Sequence, residues 1–217
     1  MGRTTEQQVR IFDRRSPVAV LGPYQRAVVW VQGCGFACRG CIVPESWDRE
    51  GGEVISVEAL AAWILAQPGI EGITLSGGEP LLQAAALGAV IAQVRQVRDL
   101  GVMCYTGDRY ERLRAQGTAA QRALLAQVDL LVDGPYQEAE HDDLLWRGSR
   151  NQRLVLLTER YRAVVTGLLA QGDASAGMEF YTTLAGELAF TGVPAQAGFR
   201  PAFEARLRDR GIQFQPL

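Results

Sequence analysis

The chain has 217 residues, 47% of them hydrophobic and 21% charged, with a formal net charge of −2. That balance suits one core-forming unit with an appendage, and it gives no broad basic surface for nucleic acid or an anionic membrane. All 22 basic residues are arginine, which excludes a lysine Schiff base, a pyridoxal-phosphate anchor and a Walker A lysine.

The opening stretch "MGRTTEQQVRIFDRR" lacks an apolar core, so no secretory signal is expected. No run of about 18 apolar residues predicts a membrane span. A cytoplasmic location is therefore expected, where thiols stay reduced. Residues 28–33, "VVWVQG", predict a strand, and 53–55 a short one. A helix is expected over 56–67 with Ser56 as its cap. "GITLS" (72–76) predicts the next strand, ended by Gly77-Gly78. A long helix over 80–100 follows, with Pro80 in its first turn. Strand 101–106, helices 108–116 and 118–127, and strand 128–134 complete the alternation.

Alternating strands and helices with short turns imply parallel strands joined by right-handed crossovers. About four such units are too few for a closed eight-stranded barrel, so an open or partial (β/α) barrel is expected. Its ligand site belongs at the carboxyl ends of the strands. The core is assigned to residues 15–155 and a C-terminal extension to 156–217. There, 135–153 reads as a polar loop and 154–171 as strand and helix, or one helix. Residues 178–194 read as a hairpin turning at Ala185-Gly186, 201–211 as a helix, and "IQFQ" as a closing strand.

Three of the four cysteines crowd into "GCGFACRGC", as Cys34-x3-Cys38-x2-Cys41. A structural zinc site normally takes four ligands, and the single histidine, His141, lies far along the chain in the polar stretch. A disulfide would leave an odd thiol. Three thiolates can instead hold three irons of a [4Fe–4S] cube and leave the fourth iron open to a small molecule. The spacing favours the cluster, with zinc as the alternative. Cys104 reads as an apolar filler and His141 as a solvated residue. Asp133-Gly134 reads as a strand-end turn, with a place in a cofactor or substrate pocket as the alternative. Arg147, Arg150 and Arg153 read as a solvated run or a grip for an acidic partner. Trp47 either packs under the cysteine loop or touches the cofactor.

The cysteine loop after the first predicted strand, with "GGEP" (77–80) after the next main one, resembles radical S-adenosylmethionine (SAM) enzymes. In that family the three cysteines bind the [4Fe–4S] cluster and Gly-Gly-Glu-Pro recognises the amino group of SAM. The resemblance thus implies Cys34, Cys38 and Cys41 as metal ligands, and Gly77, Gly78, Glu79 and Pro80 as SAM contacts. It narrows to the activating proteins of anaerobic ribonucleotide reductase through Gly40, Ser46-Trp47, "LLVDGPY" (130–136) and "WRGSRNQRL" (146–154). Their Tyr-Thr-Gly segment is matched by Tyr105, Thr106 and Gly107, implied as further SAM contacts. The implied partner is a large glycyl-radical enzyme, with flavodoxin or ferredoxin as reductant. A radical SAM enzyme acting on a peptide or small molecule is the alternative, and a SAM-free iron–sulfur carrier a third reading. The sequence departs from the subgroup at Ile42-Val43, and Phe36, Trp47 or Tyr105 are candidates for the adenine side.

Overall fold

The computed structural model describes residues 8–182 and 188–212. Its centre is four parallel strands: β2 (Arg26–Val31), β4 (Gly72–Gly77), β5 (Gly101–Thr106) and β6 (Leu130–Asp133). Their apolar runs are buried nearly end to end, as strands covered on both faces require. Between them run α1 (Val57–Leu65), α2 (Ala84–Arg95), α3 (Tyr110–Gln116) and α4 (Ala119–Leu125). Leu60, Ile64, Leu87, Ile91 and Leu124 from these helices pack on Val29, Ile73, Leu75 and Val102 of the sheet. The opposite face is covered by Trp146, Tyr161 and Val165 over Met103, Leu130 and Val132.

Antiparallel strands extend the parallel set on both sides. β1 (Gln8–Val18) pairs with β2 and with β3 (Glu53–Ser56), and β9 (Arg153–Leu156) pairs with β6. The order is β3-β1-β2-β4-β5-β6-β9. The sheet is therefore mixed and open, with β3 and β9 at its edges. The expected parallel βα alternation is present, but the partial-barrel description is not reached.

Two expected elements take a different form. The helix expected over 80–100 begins as a tight 3₁₀ turn, Pro80–Gln83, and α2 ends at Arg95. The turn is tight because its side chains serve other partners: Glu79 accepts from the Leu81 N–H at 2.9 Å, and Gln83 exchanges bonds with the Arg10 backbone at 2.7 and 2.8 Å. Past Arg95 the chain turns so that Arg98 can donate to the carbonyls of Gln67 and Ile70, at 2.9 and 2.8 Å. The polar stretch 135–153 is not simply a loop, since it carries the ribbon β7 (His141–Leu144) and β8 (Arg147–Ser149).

The C-terminal part contains α5 (Arg162–Gln171), the antiparallel pair β10 (Met178–Thr182) and β11 (Leu188–Gly192), and α6 (Phe199–Arg208). The hairpin strands match expectation, while the turn at Ala185-Gly186 lies outside the described residues. So do the last three residues of "IQFQ".

Candidate functional site

The carboxyl ends of β2, β4, β5 and β6 open onto one cavity of about 290 Å³. Cys34, Cys38, Cys41, Gly77, Gly78, Glu79, Tyr105, Thr106 and Gly107 all line it. Pro80 is buried directly behind Glu79 and does not line it. Residues far apart in sequence thus meet where an open α/β sheet places ligands.

The cysteine loop is held by its neighbours' backbone. Gly33 N–H donates to the Ser46 carbonyl at 2.8 Å and Cys34 N–H to that of Trp47 at 3.1 Å. Gln32 ties the far limb down through the carbonyls of Glu45 and Asp48, at 2.9 and 2.7 Å. Gly40 sits at φ +74°, and a Cβ there would meet Glu138 Oε1 at 2.9 Å and the Tyr136 ring at 3.2 Å. A residue with a side chain at 40 would be both strained and crowded. All three thiols are partly accessible. Burial pushes the Cys38 and Cys41 thiols above their ordinary range, and repulsion from the neighbouring sulfurs adds to it. Loading metal there must release protons.

The Gly77-Gly78-Glu79 turn is laced to the strand end that leads into Cys34. Gly78 N–H donates to the Val31 carbonyl at 2.8 Å and Glu79 N–H to that of Gly33 at 2.9 Å. A Cβ on Gly78 would lie 2.3 Å from the Gly33 oxygen, and one on Gly77 only 2.6 Å from the Val31 nitrogen. Both positions need glycine for close backbone approach. Glu79 is only 4% exposed. Its Oε1 accepts from Thr106 Oγ1 at 3.0 Å and its Oε2 from Gly107 N–H at 2.9 Å. Burial nevertheless raises its carboxyl to about 7, outweighing those two donors and the Leu81 N–H. A cationic amine arriving there would reverse that shift.

Phe36 packs over Gly107 so closely that a Cβ there would meet its ring at 2.6 Å. Phe36, Trp47 and Tyr105 all face the cavity, although the Tyr105 hydroxyl is engaged by the Trp146 carbonyl at 3.0 Å. His141, expected to lie far from the cysteines in a solvated loop, instead lines the same cavity, its Nδ1 3.0 Å from the Tyr136 hydroxyl. Strand β7, invisible in the polar sequence, carries it there. Asp133 is more than a turn residue: it is fully buried, with Arg153 paired to it and the Tyr110 N–H donating at 2.8 Å. The arginine run is internally paired, Arg147 with Asp173, Arg150 with Asp142, and Arg153 with Asp133 and Glu111. Cys104 is buried within β5, as a filler would be.

The donor set can be tested for an iron–sulfur cube. Among the described residues no three His, Cys, Asp or Glu side chains are gathered for a single metal ion. A cube places each thiolate on its own iron, so its ligands share a cavity without converging on one point. Three thiols lining one cavity, with Cys104 not among its lining residues, fit that requirement better than a zinc chelate.

Comparison with known proteins gives first a class. The family described as "4Fe-4S single cluster domain" matches residues 20–155. Relatives then narrow it. The anaerobic ribonucleoside-triphosphate reductase-activating protein of Enterobacteria phage T4 is 31% identical over 149 residues, 66% of this chain and 92% of its own length. Those of Haemophilus influenzae and Vibrio cholerae are 34% and 35% identical, covering 60% and 63% of this chain and 87% and 91% of theirs. The chain belongs to the 4Fe-4S single cluster domain family, in the group of these activating proteins. The solved structure of QueE from Escherichia coli aligns with a TM-score of 0.45 at 13% identity, over 97% of this chain and 94% of that one.

Proposed function

We propose that the chain is a radical SAM enzyme of the activating type, which takes a hydrogen atom from a glycine of a large partner, an anaerobic ribonucleotide reductase. The observation that carries this is the shared cavity of Cys34, Cys38, Cys41 and the Glu79 cradle, within a chain whose relatives are named as activating proteins. Cys34, Cys38 and Cys41 would hold the cluster. When bound there, a three-thiolate [4Fe–4S] cluster would pass an electron from the reductant to S-adenosylmethionine, and their chemistry would be reductive cleavage of SAM coupled to removal of a hydrogen atom from the donor.

The chain's own residues bind, orient and exclude water. Glu79, fixed by Thr106, Gly107 and Leu81, presents a carboxylate to the SAM amino group. Gly77 and Gly78 let that carboxylate stand close to the cysteine loop. Phe36 and Trp47 offer ring faces on the adenine side, and Tyr105, whose hydroxyl is spoken for, offers an apolar edge. Apolar walls keep water from a reactive intermediate. No general acid or base is assigned. The reductant is proposed to be a flavodoxin or ferredoxin, and the site of action the cytoplasm; no helix among the described residues is long and apolar enough to cross a membrane.

The test is isotopic. With a reductase partner deuterated at glycine Cα, deuterium is expected in 5′-deoxyadenosine and a glycyl radical signal in the partner. Formation of 5′-deoxyadenosine without deuterium transfer would reject the glycyl donor and favour a peptide or small-molecule substrate.

A further inference from the structure

The family match ends at residue 155, yet the cavity does not. Phe190, Val193, Pro194, Phe199 and Pro201 form part of its lining, beside Cys41, Ile42 and Val43. We propose that the C-terminal extension is a working part of the site: residues 188–201 form the wall that the hydrogen donor must pass, and Arg200 is the positioning residue that fastens this wall to the cysteine loop. The proposal rests on the functional reading above.

The fastening is direct. Arg200 reaches across with both terminal nitrogens to the Glu45 carboxylate, Nη1 to Oε2 at 2.8 Å and Nη2 to Oε1. Nη1 also donates to the Ile42 carbonyl at 2.9 Å, one residue after Cys41. Glu204, one turn along α6, accepts from Nε at 2.8 Å. All three nitrogens of the guanidinium are therefore committed, and its side chain is 13% exposed. A planar fork paired in this bidentate way fixes direction as well as distance. Glu45 belongs to the short helical turn Pro44–Trp47, which holds Gly33 and Cys34 through backbone bonds. Arg200 thus acts on both limbs of the cysteine loop.

The wall is stiffened by its own rings. Phe180, Phe190, Phe199 and Phe203 pack ring on ring, with centroids 5.4 to 6.4 Å apart. Its base is tied to the core by Glu179, which accepts from the Ala19 N–H at 2.7 Å, and by Arg15 stacked 3.4 Å over the Tyr181 ring. The face turned to the cavity is rich in apolar and proline side chains with Gly192 and Gly198 between them. Such a surface suits an extended backbone segment with small side chains, and it offers no charged group of its own beyond the paired Arg200.

Two readouts test this in the full chain. In metal-free, reduced protein, alkylation of Cys41 by N-ethylmaleimide, followed by mass spectrometry, is expected to run roughly tenfold faster in Arg200→Ala than in wild type. Cys104 labelling should stay slow in both, which reports an intact fold. In reconstituted enzyme, the KM for the reductase partner is expected to rise by more than kcat falls. Arg200→Lys, which keeps the charge but not the planar fork, should recover both only in part. Equal Cys41 labelling in wild type and Arg200→Ala would overturn the fastening. Faster labelling with an unchanged KM would overturn the wall's role towards the donor. Wild type that makes no 5′-deoxyadenosine would instead remove the functional reading, and the labelling would still judge the fastening.

Discussion

Glu79 is the most consequential single side chain in the cavity. It is buried, accepts three hydrogen bonds from the protein, and still has its carboxyl raised to about 7. A folded value above the unfolded one means that this group's stabilisation is full below about 4.5 and is lost as pH rises through about 7. The shift corresponds to on the order of 3 kcal/mol. In metal-free protein, wild type should lose that much stability between pH 4.5 and 7.5 relative to Glu79→Gln, as read by denaturant midpoints. A parallel pH dependence in the two would contradict the burial argument. The same substitution should weaken SAM binding about tenfold in the cluster-loaded protein, measured by equilibrium dialysis. At the neighbouring position, Gly78→Ala would drive a Cβ into the Gly33 carbonyl. It should lower both thermal stability and the iron retained after reconstitution. Cys38→Ala should abolish the SAM-cleaving cluster, with loss of iron and of visible absorbance; retained activity would refute Cys38 as a ligand.

At the scale of elements, the parallel strands and their helices were legible because each signal was local. Ser56 caps α1 as its sequence suggested, accepting from the Ala59 N–H at 3.1 Å. Its replacement by alanine should cost about 1 kcal/mol, read from urea unfolding. The elements that were not legible depend on distant partners. β1 reads as a charged stretch, since Arg10, Asp13, Arg14 and Arg15 fill it, yet it runs inside the sheet. Its arginines meet the Gly51 carbonyl, Glu53 and the Tyr181 ring, none of them visible from residues 8–18. The β7–β8 ribbon hid for a similar reason, as acids and arginines that look solvated pair with each other and with Asp173. His141 was misplaced as a consequence. The cysteine loop and the Gly-Gly-Glu turn were readable because their spacing itself encodes the chemistry. Arg200 carried no such signal: one arginine in a basic helix acquires meaning only beside Glu45.

Across the whole molecule, one cavity joins the family core to a C-terminal part outside the family match. The core supplies thiols, the Glu79 cradle and apolar strand ends; the extension supplies a wall. An iron without a protein ligand is exposed to oxidants, so the loaded protein should bleach in air within minutes and be slowed by bound SAM, followed by visible absorbance. The central claim is that three thiols and the Glu79 cradle together support reductive cleavage of SAM. It is tested most directly by anaerobic reconstitution with iron and sulfide, followed by dithionite and SAM, and chromatography of the products. The account predicts 5′-deoxyadenosine and methionine in equal amounts. An intact cluster that yields neither would contradict it.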